Sequence, residues 1–232
     1  ELQKNIFASI TAQAVQRAPT PLELFARGPH EASGTFEIGN PNLRVESAQS
    51  IEFGLRRAVG AWRFDASVFH TRYNGYIAKR LTGNLCGEEF DDCGVETELR
   101  QVQFTQRDAT FTGAELLTQF DILPIGIGMF GVEAQADVVR ARYNSGGVVP
   151  RIPPARVGGG VFWYGGGWFA RVNMLHAFAQ NRIAVGEETP TAGYNLLNAE
   201  LSYRHKWDVL GATRELTIGV KGTNLLNDDI RL

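Results

Sequence analysis

Residues 130–138, FGVEAQADV, place Phe130, Val132, Ala134, Ala136 and Val138 on one side of an extended chain and Gly131, Glu133, Gln135 and Asp137 on the other. Successive side chains of a strand point to opposite faces, so this two-residue period predicts a strand with one apolar and one wet face. The same period runs through residues 6–14, where Ile6, Ala8, Ile10, Ala12 and Ala14 oppose Phe7, Ser9, Thr11 and Gln13. It returns at residues 51–56, 62–68, 114–120, 157–163, 168–174, 197–204 and 216–220. Nine strands are predicted, several of them long. Globular strands average about 5 to 6 residues, so longer ones favour a large tilted barrel over a compact sandwich.

The connections between these strands are sorted. Short turns fall at residues 59–61, 123–126, 165–167 and 210–212, and long polar loops at 17–47, 80–98, 143–152 and 183–193. Antiparallel strands return to the same side at every second connection, and membrane barrels place short turns on one rim and long loops on the other. The wet faces carry Glu52, Arg63, Asp65, Glu115, Glu133, Asp137, Arg171, Glu200, Arg204 and Lys221. Burying such charges in a packed soluble barrel costs several kcal/mol each unless they are paired, whereas a watery or protein-filled lumen accommodates them.

Composition sets the outer bounds. Among 232 residues, 23 Lys and Arg face 25 Asp and Glu, a net charge of −2 that lacks the basic footprint of a nucleic-acid partner. With 44% hydrophobic and 21% charged residues the chain is too apolar for disorder, and its 26 Gly follow no three-residue period, which excludes collagen. No run approaches the roughly 18 apolar residues of a membrane helix, a test to which barrel strands are blind. Residues 1–10, ELQKNIFASI, lack the basic start, apolar run and cleavage site of a signal peptide. Single-chain bacterial barrels have an even number of strands, so an odd nine predicts an incomplete barrel whose open edge needs a partner.

Local motifs sharpen the reading. Arg17-Ala18-Pro19-Thr20 followed by Glu23-Leu24-Phe25 resembles the R-A-P-T-x-x-E-L-F/Y signature of TonB-dependent outer-membrane receptors. Gly39-Asn40-Pro41-Asn42-Leu43 with Glu46 is similar to the family's G-N-P-x-L-x-x-E, with Val45 where Pro is usual. Phe69, Tyr73, Tyr76 and Ile77 resemble its F-x-x-x-Y-x-x-Y-I strand ending. Pro153-Pro154-Ala155-Arg156 resembles P-P-x-R, and Asn224-Leu225-Leu226-Asn227-Asp228 resembles N-L-x-D/N. The resemblance implies an all-β chain, an antiparallel transmembrane barrel segment of about nine strands from a roughly 22-stranded barrel. On this reading residues 1–232 are the C-terminal portion of the barrel, with the plug domain and the final strand absent.

The implied function is active uptake of a scarce nutrient, such as a metal, a metal chelate or siderophore, or a vitamin, captured by outer loops. The implied partners are outer-membrane lipid, the protein's own plug domain, the TonB-ExbB-ExbD coupling complex and a metal or metal-chelate ligand, with no nucleic acid and no resident cofactor. A passive porin or adhesin barrel and an outer-membrane hydrolase are the alternatives. The chain has no G-x-S-x-G elbow and no H-E-x-x-H pair, so no enzyme is expected.

Cys86 and Cys93, the only cysteines, fall in a loop assigned to the exterior, and a disulfide is expected there. Closing so short a ring stabilises by roughly 2 to 3 kcal/mol in the chain-entropy model. Glu88, Glu89, Asp91 and Asp92 lie inside that ring, a set of oxygen donors suited to a hard cation or a cationic ligand. His30 and Glu31 form a second candidate pair. Gly28-Pro29-His30 resembles the zinc-uptake branch of the receptor family, which makes His30, with Asp91 and Asp92, a candidate metal-ligand set for zinc, an iron chelate being the other candidate cargo. His70 and His176 fall on the apolar face by parity. Trp62, Trp163, Trp168 and Trp207 fall at or near short turns, as expected of an aromatic girdle. Gly158-Gly159-Gly160 and Gly165-Gly166-Gly167 lack the Lys-Ser/Thr of a phosphate loop and are read as strand kinks and a turn.

Overall fold

The fold comes from a computed structural model, which describes residues 5–87, 93 and 99–230. Nine strands form one antiparallel path. They are β1 (Ile6–Arg17), β4 (Glu46–Arg57), β5 (Trp62–Cys86), β6 (Leu99–Ile125), β7 (Gly128–Tyr143), β8 (Arg156–Gly165), β9 (Trp168–Ala177), β10 (Tyr194–Val209) and β11 (Ala212–Gly222), each paired with its neighbours along the path. The expected strand count of this path is met, and β6 reaches 27 residues. Two short strands escaped the sequence reading. Within the first long loop, β2 (Arg27–His30) pairs with β3 (Thr35–Ile38), and β3 in turn runs parallel to residues 100–103 of β6. The expected loop at 80–98 is also shorter than predicted, because β5 continues to Cys86 and β6 begins at Leu99.

Hydrogen-bond register joins apolar to apolar across the whole sheet. One rung reads Trp62, Phe120, Val132, Val161, Val172 and Ala199; another reads Ala8, Leu55, Ala66, Leu116, Ala136, Val157 and His176. On the opposite face Arg63, Gln119, Glu133, Gly160, Asn173 and Asn198 share a rung. A slip of one residue in any strand would transpose these faces, so the pattern holds every register at once. The apolar face has no second layer upon it: Val132 is 36% and Ile218 66% exposed. Such a surface is far larger than a soluble monomer ordinarily leaves to water.

The polar face is paired internally. Arg63 donates two hydrogen bonds of 2.7 Å to Asp121, and Arg156 holds Asp137 at 3.0 Å. Arg171 sits between Glu200 at 2.9 Å and Glu133 at 3.8 Å. These pairs are partly exposed and each contributes little to stability, about 0 to 1 kcal/mol, but together they set three arginines against four carboxylates and leave the face polar.

The tight turns explain the sorting of connections. Between β6 and β7 lie Gly126 and Ile127 alone, and Gly126 at φ 60° takes the first central position of a two-residue hairpin turn that rejects a Cβ. Gly166 and Gly167, both at positive φ, join β8 to β9 in the same way. At this rim Trp62 packs at a tilt against Phe64 and Trp168 against Tyr203, both at 4.8 Å between ring centroids. The Trp62 indole donates to the Thr118 hydroxyl and that of Trp163 to the Ile125 carbonyl, so each ring keeps an apolar body and a satisfied polar tip. The triplet at 158–160 lies inside β8, paired on both sides, as a strand and not a phosphate loop.

Face assignment makes a direct prediction. Ala134→Arg, mid-strand on the apolar face, is expected to destabilise the assembled barrel by about 2 to 4 kcal/mol, while Gln135→Arg is tolerated. Urea unfolding of the refolded protein in lipid vesicles measures both, and equal losses would contradict the assignment.

Candidate functional site

The long-loop rim is built on the polar face. There Tyr73, Phe111, Ala109, Ala141 and Tyr143 come together, and Val149 and Ile152 of the β7–β8 loop fold down upon them, Val149 being 1% exposed. Parity had counted this face as wet, and at its outer end it is an aromatic cluster. Arg107 lies 3.9 Å over the Tyr143 ring and donates to the Ser145 hydroxyl and the Gly146 carbonyl, clasping the same loop.

The first long loop is fastened by the residues of its sequence motifs. Thr20 caps the short helix α1 (Pro21–Phe25): its hydroxyl accepts from the Glu23 N–H, and the Glu23 carboxylate accepts from the Thr20 N–H. Arg17, the last residue of β1, bridges Glu23 at 2.8 Å and Glu46 at 3.3 Å, and Glu46 also accepts the Ile77 N–H at 2.7 Å. Gly39 crosses the helix end so closely that a Cβ would stand 2.5 Å from the Leu24 and Phe25 backbone. That approach lets the Gly39 N–H reach the Ala26 carbonyl, the Asn40 N–H reach the Glu23 carbonyl, and the Asn40 amide reach Phe104 on β6. Leu24 and Ala26 then pack on Leu43, Ile77 and Phe104. The spacing R-A-P-T-x-x-E followed by G-N thus encodes one knot tying the loop to β1, β4, β5 and β6.

The hairpin of β2 and β3 extends from this knot and carries His30 at its tip. His30 pairs in register with Thr35, which places Glu37 diagonally across on the same face. The His30 Nδ1 lies 2.9 Å from the Ser33 hydroxyl and 3.9 Å from Glu37 Oε1. Glu37 is 2% exposed, its Oε1 accepts a hydrogen bond from Lys79 Nζ, and its Oε2 has no hydrogen-bond partner among the described residues. Buried carboxylate oxygens are ordinarily hydrogen-bonded, so Glu37 stands out in this hairpin. Glu31, the sequence neighbour expected to accompany His30, turns away into a 3-10 turn at Glu31–Ser33, and the carboxylate beside the imidazole is Glu37. The alternation of T-F-E-I was the only sequence signal for Glu37.

Cys86 and Cys93 are joined as a disulfide, and the Gln101 amide lies 3.3 and 3.4 Å from the two sulfurs. Glu88, Glu89, Asp91 and Asp92 lie outside the described residues. Among the described residues no group of three His, Cys, Asp or Glu side chains is close enough to hold a metal ion. His70 and His176 do lie on the apolar face: His176 meets Asn195 Oδ1 at 2.9 Å, and His70 receives the Arg72 Nε–H at 3.3 Å.

With this architecture in view, comparison with known proteins gives a direct answer on class. Residues 5–225 match the family model described as TonB dependent receptor-like, beta-barrel. The chain belongs to that family. Among solved structures it is similar to one described as the copper transporter OprC, with 19% identity and a TM-score of 0.69 over 96% of this chain. That match spans 31% of the transporter's own length and bears on the fold alone.

The loop knot has a pH signature. Burial opposes ionisation of Glu23, but hydrogen bonds from Arg17 and Thr20 outweigh it and hold the carboxyl below its ordinary range. A carboxyl depressed on folding contributes stability at neutral pH that is lost as pH falls through its folded value. Protease resistance of residues 18–45 is therefore expected to persist through the ordinary carboxylate range and fail below it, whereas Glu23→Gln opens the loop at neutral pH. Identical pH profiles for the two proteins would contradict the role given to this carboxylate.

Proposed function

We propose that this chain is the C-terminal part of the barrel of an outer-membrane receptor that imports a scarce nutrient under TonB-dependent energy coupling, and that the nutrient is a metal ion or metal chelate. The family match and the alternation of tight turns with long outer loops support the transport reading. The barrel segment acts as a wall: its polar face meets the plug and the lumen water, its outer loops meet the ligand, and no covalent step occurs on it. Outer-membrane lipid, the plug and the inner-membrane coupling complex are the partners this reading requires.

The observation that favours a metal is the His30–Glu37 pair on the outer hairpin. It offers an imidazole and a buried carboxylate oxygen with no donor among the described residues. Nitrogen and oxygen donors together suit zinc or copper, and the acidic residues tethered by the disulfide are candidates to complete the set. That a protein with the same fold is described as a copper transporter is consistent with such a cargo.

The test is calorimetric titration of the full-length receptor with Zn²⁺ and with Cu²⁺, beside His30→Ala and Glu37→Gln. Loss of one ligand is expected to weaken binding by about tenfold or more. Uptake into cells is expected to stop when the inner-membrane proton gradient is collapsed. Affinity unchanged in both variants would remove the metal reading, and uptake indifferent to the gradient would remove active transport.

A further inference from the structure

Toward the long-loop rim the apolar face carries a cluster of cations on adjacent strands. On three adjacent strands the register sets His70, Thr112 and Arg140 in one rung and Arg72, Thr110 and Arg142 in the next. All six side chains follow Val68, Ala114 and Val138 on the apolar face with no bulge between. Arg72, Arg140, Arg142 and Thr112 are exposed. None of the three arginines pairs with a carboxylate among the described residues. Asp108, two positions beyond Thr110 on β6, accepts the Gly75 N–H at 2.9 Å further toward the rim.

Their height along the strands is informative. Arg72 lies ten residues beyond Trp62 at the short-turn rim, and Arg140 ten beyond Phe130. At about 3.4 Å per residue and a tilt near 40°, ten residues rise roughly 26 Å, which matches the apolar band of about 25 Å in an outer-membrane barrel. The arginines therefore stand where that band gives way to headgroups, at the long-loop end. Directly below them the same face is hollowed. Ala66, Ala114 and Ala136 floor a groove of about 540 Å³, walled by Phe53, Leu55, Val157 and Phe178. It lies in the middle of the sheet, away from both edge strands.

A groove of this size matches ordinary ligand cavities, and guanidinium groups recognise phosphate through paired charged hydrogen bonds. We propose that this surface is a lipid site: the phosphate of an acylated outer-leaflet lipid sits among Arg72, Arg140, Arg142 and His70, and one of its acyl chains lies in the alanine-floored groove. Charge complementarity and the continuity of cations with groove select this occupant. Arginines that merely snorkel into water need no hollow beneath them.

The test uses the full-length receptor in phosphatidylcholine nanodiscs doped with lipid A or with dephosphorylated lipid A, equal in acyl chains, and native mass spectrometry to count retained lipid. Wild type is expected to retain the phosphorylated form by about tenfold over the other. Arg72→Gln/Arg140→Gln/Arg142→Gln is expected to abolish that preference, and Ala136→Phe, which fills the groove, to lower retention of both forms. Heat-modifiable gel mobility reports folding of each variant. If the triple variant does not fold, wild type alone decides, because a phosphate-dependent preference must shrink at about 0.5 M salt. Equal retention of the two lipids, a preference untouched by salt or by the triple change, full competition by inorganic phosphate, or a receptor dimer without lipid would each overturn the proposal.

Discussion

The register of one hydrogen-bonded ladder constrains everything else in this molecule. Because side chains alternate along a strand, pairing Ala134 with Thr118 and Gly159 rather than with their neighbours decides that most alanine, valine and leucine side chains emerge on one side of nine strands. No packed core does this work: among the described residues the largest fully buried side chains are Phe36, Val149 and Cys86, all in the long-loop region. The sheet between the rims has two exposed faces, one oily and one charged, and is stable only if lipid covers the first and water or protein the second.

From that constraint the functional geography follows. Two-residue turns at one rim leave no room for recognition, so under the proposed function ligand chemistry would fall to the long connections at the other. Those connections are held from the polar side by the aromatic cluster of Tyr73, Phe111 and Tyr143, and by the knot of Arg17, Glu23 and Glu46. His30 and Glu37 stand on a hairpin anchored in that knot, which hydrogen bonds tie to β1, β4 and β6.

Much of this was legible in the residues because alternation is a local property. The strands about 134, 172 and 201 declare their faces in five or six residues. Where bulges break the period, the reading stopped: register shifts between Tyr73 and Tyr76 and between Leu81 and Leu85 hid residues 80–86, the outer end of β5, within a supposed loop. The hairpin of β2 and β3 is only four residues a side and contains Pro29, so its period is too short to stand out. Glu37 was missed because its tie to His30 is a diagonal cross-strand contact, which sequence adjacency replaced with Glu31. The cations among apolar residues at 72, 140 and 142 were visible in the sequence, but their convergence needs the pairing of three strands.

A cysteine scan through residues 130–138 of the full-length receptor in intact outer membranes measures the two-faced ladder most directly. The account requires a water-soluble maleimide to label positions 131, 133, 135 and 137 and to leave 130, 132, 134, 136 and 138 unlabelled until the membrane is dissolved. Uniform labelling, or protection of the odd positions instead, would contradict it.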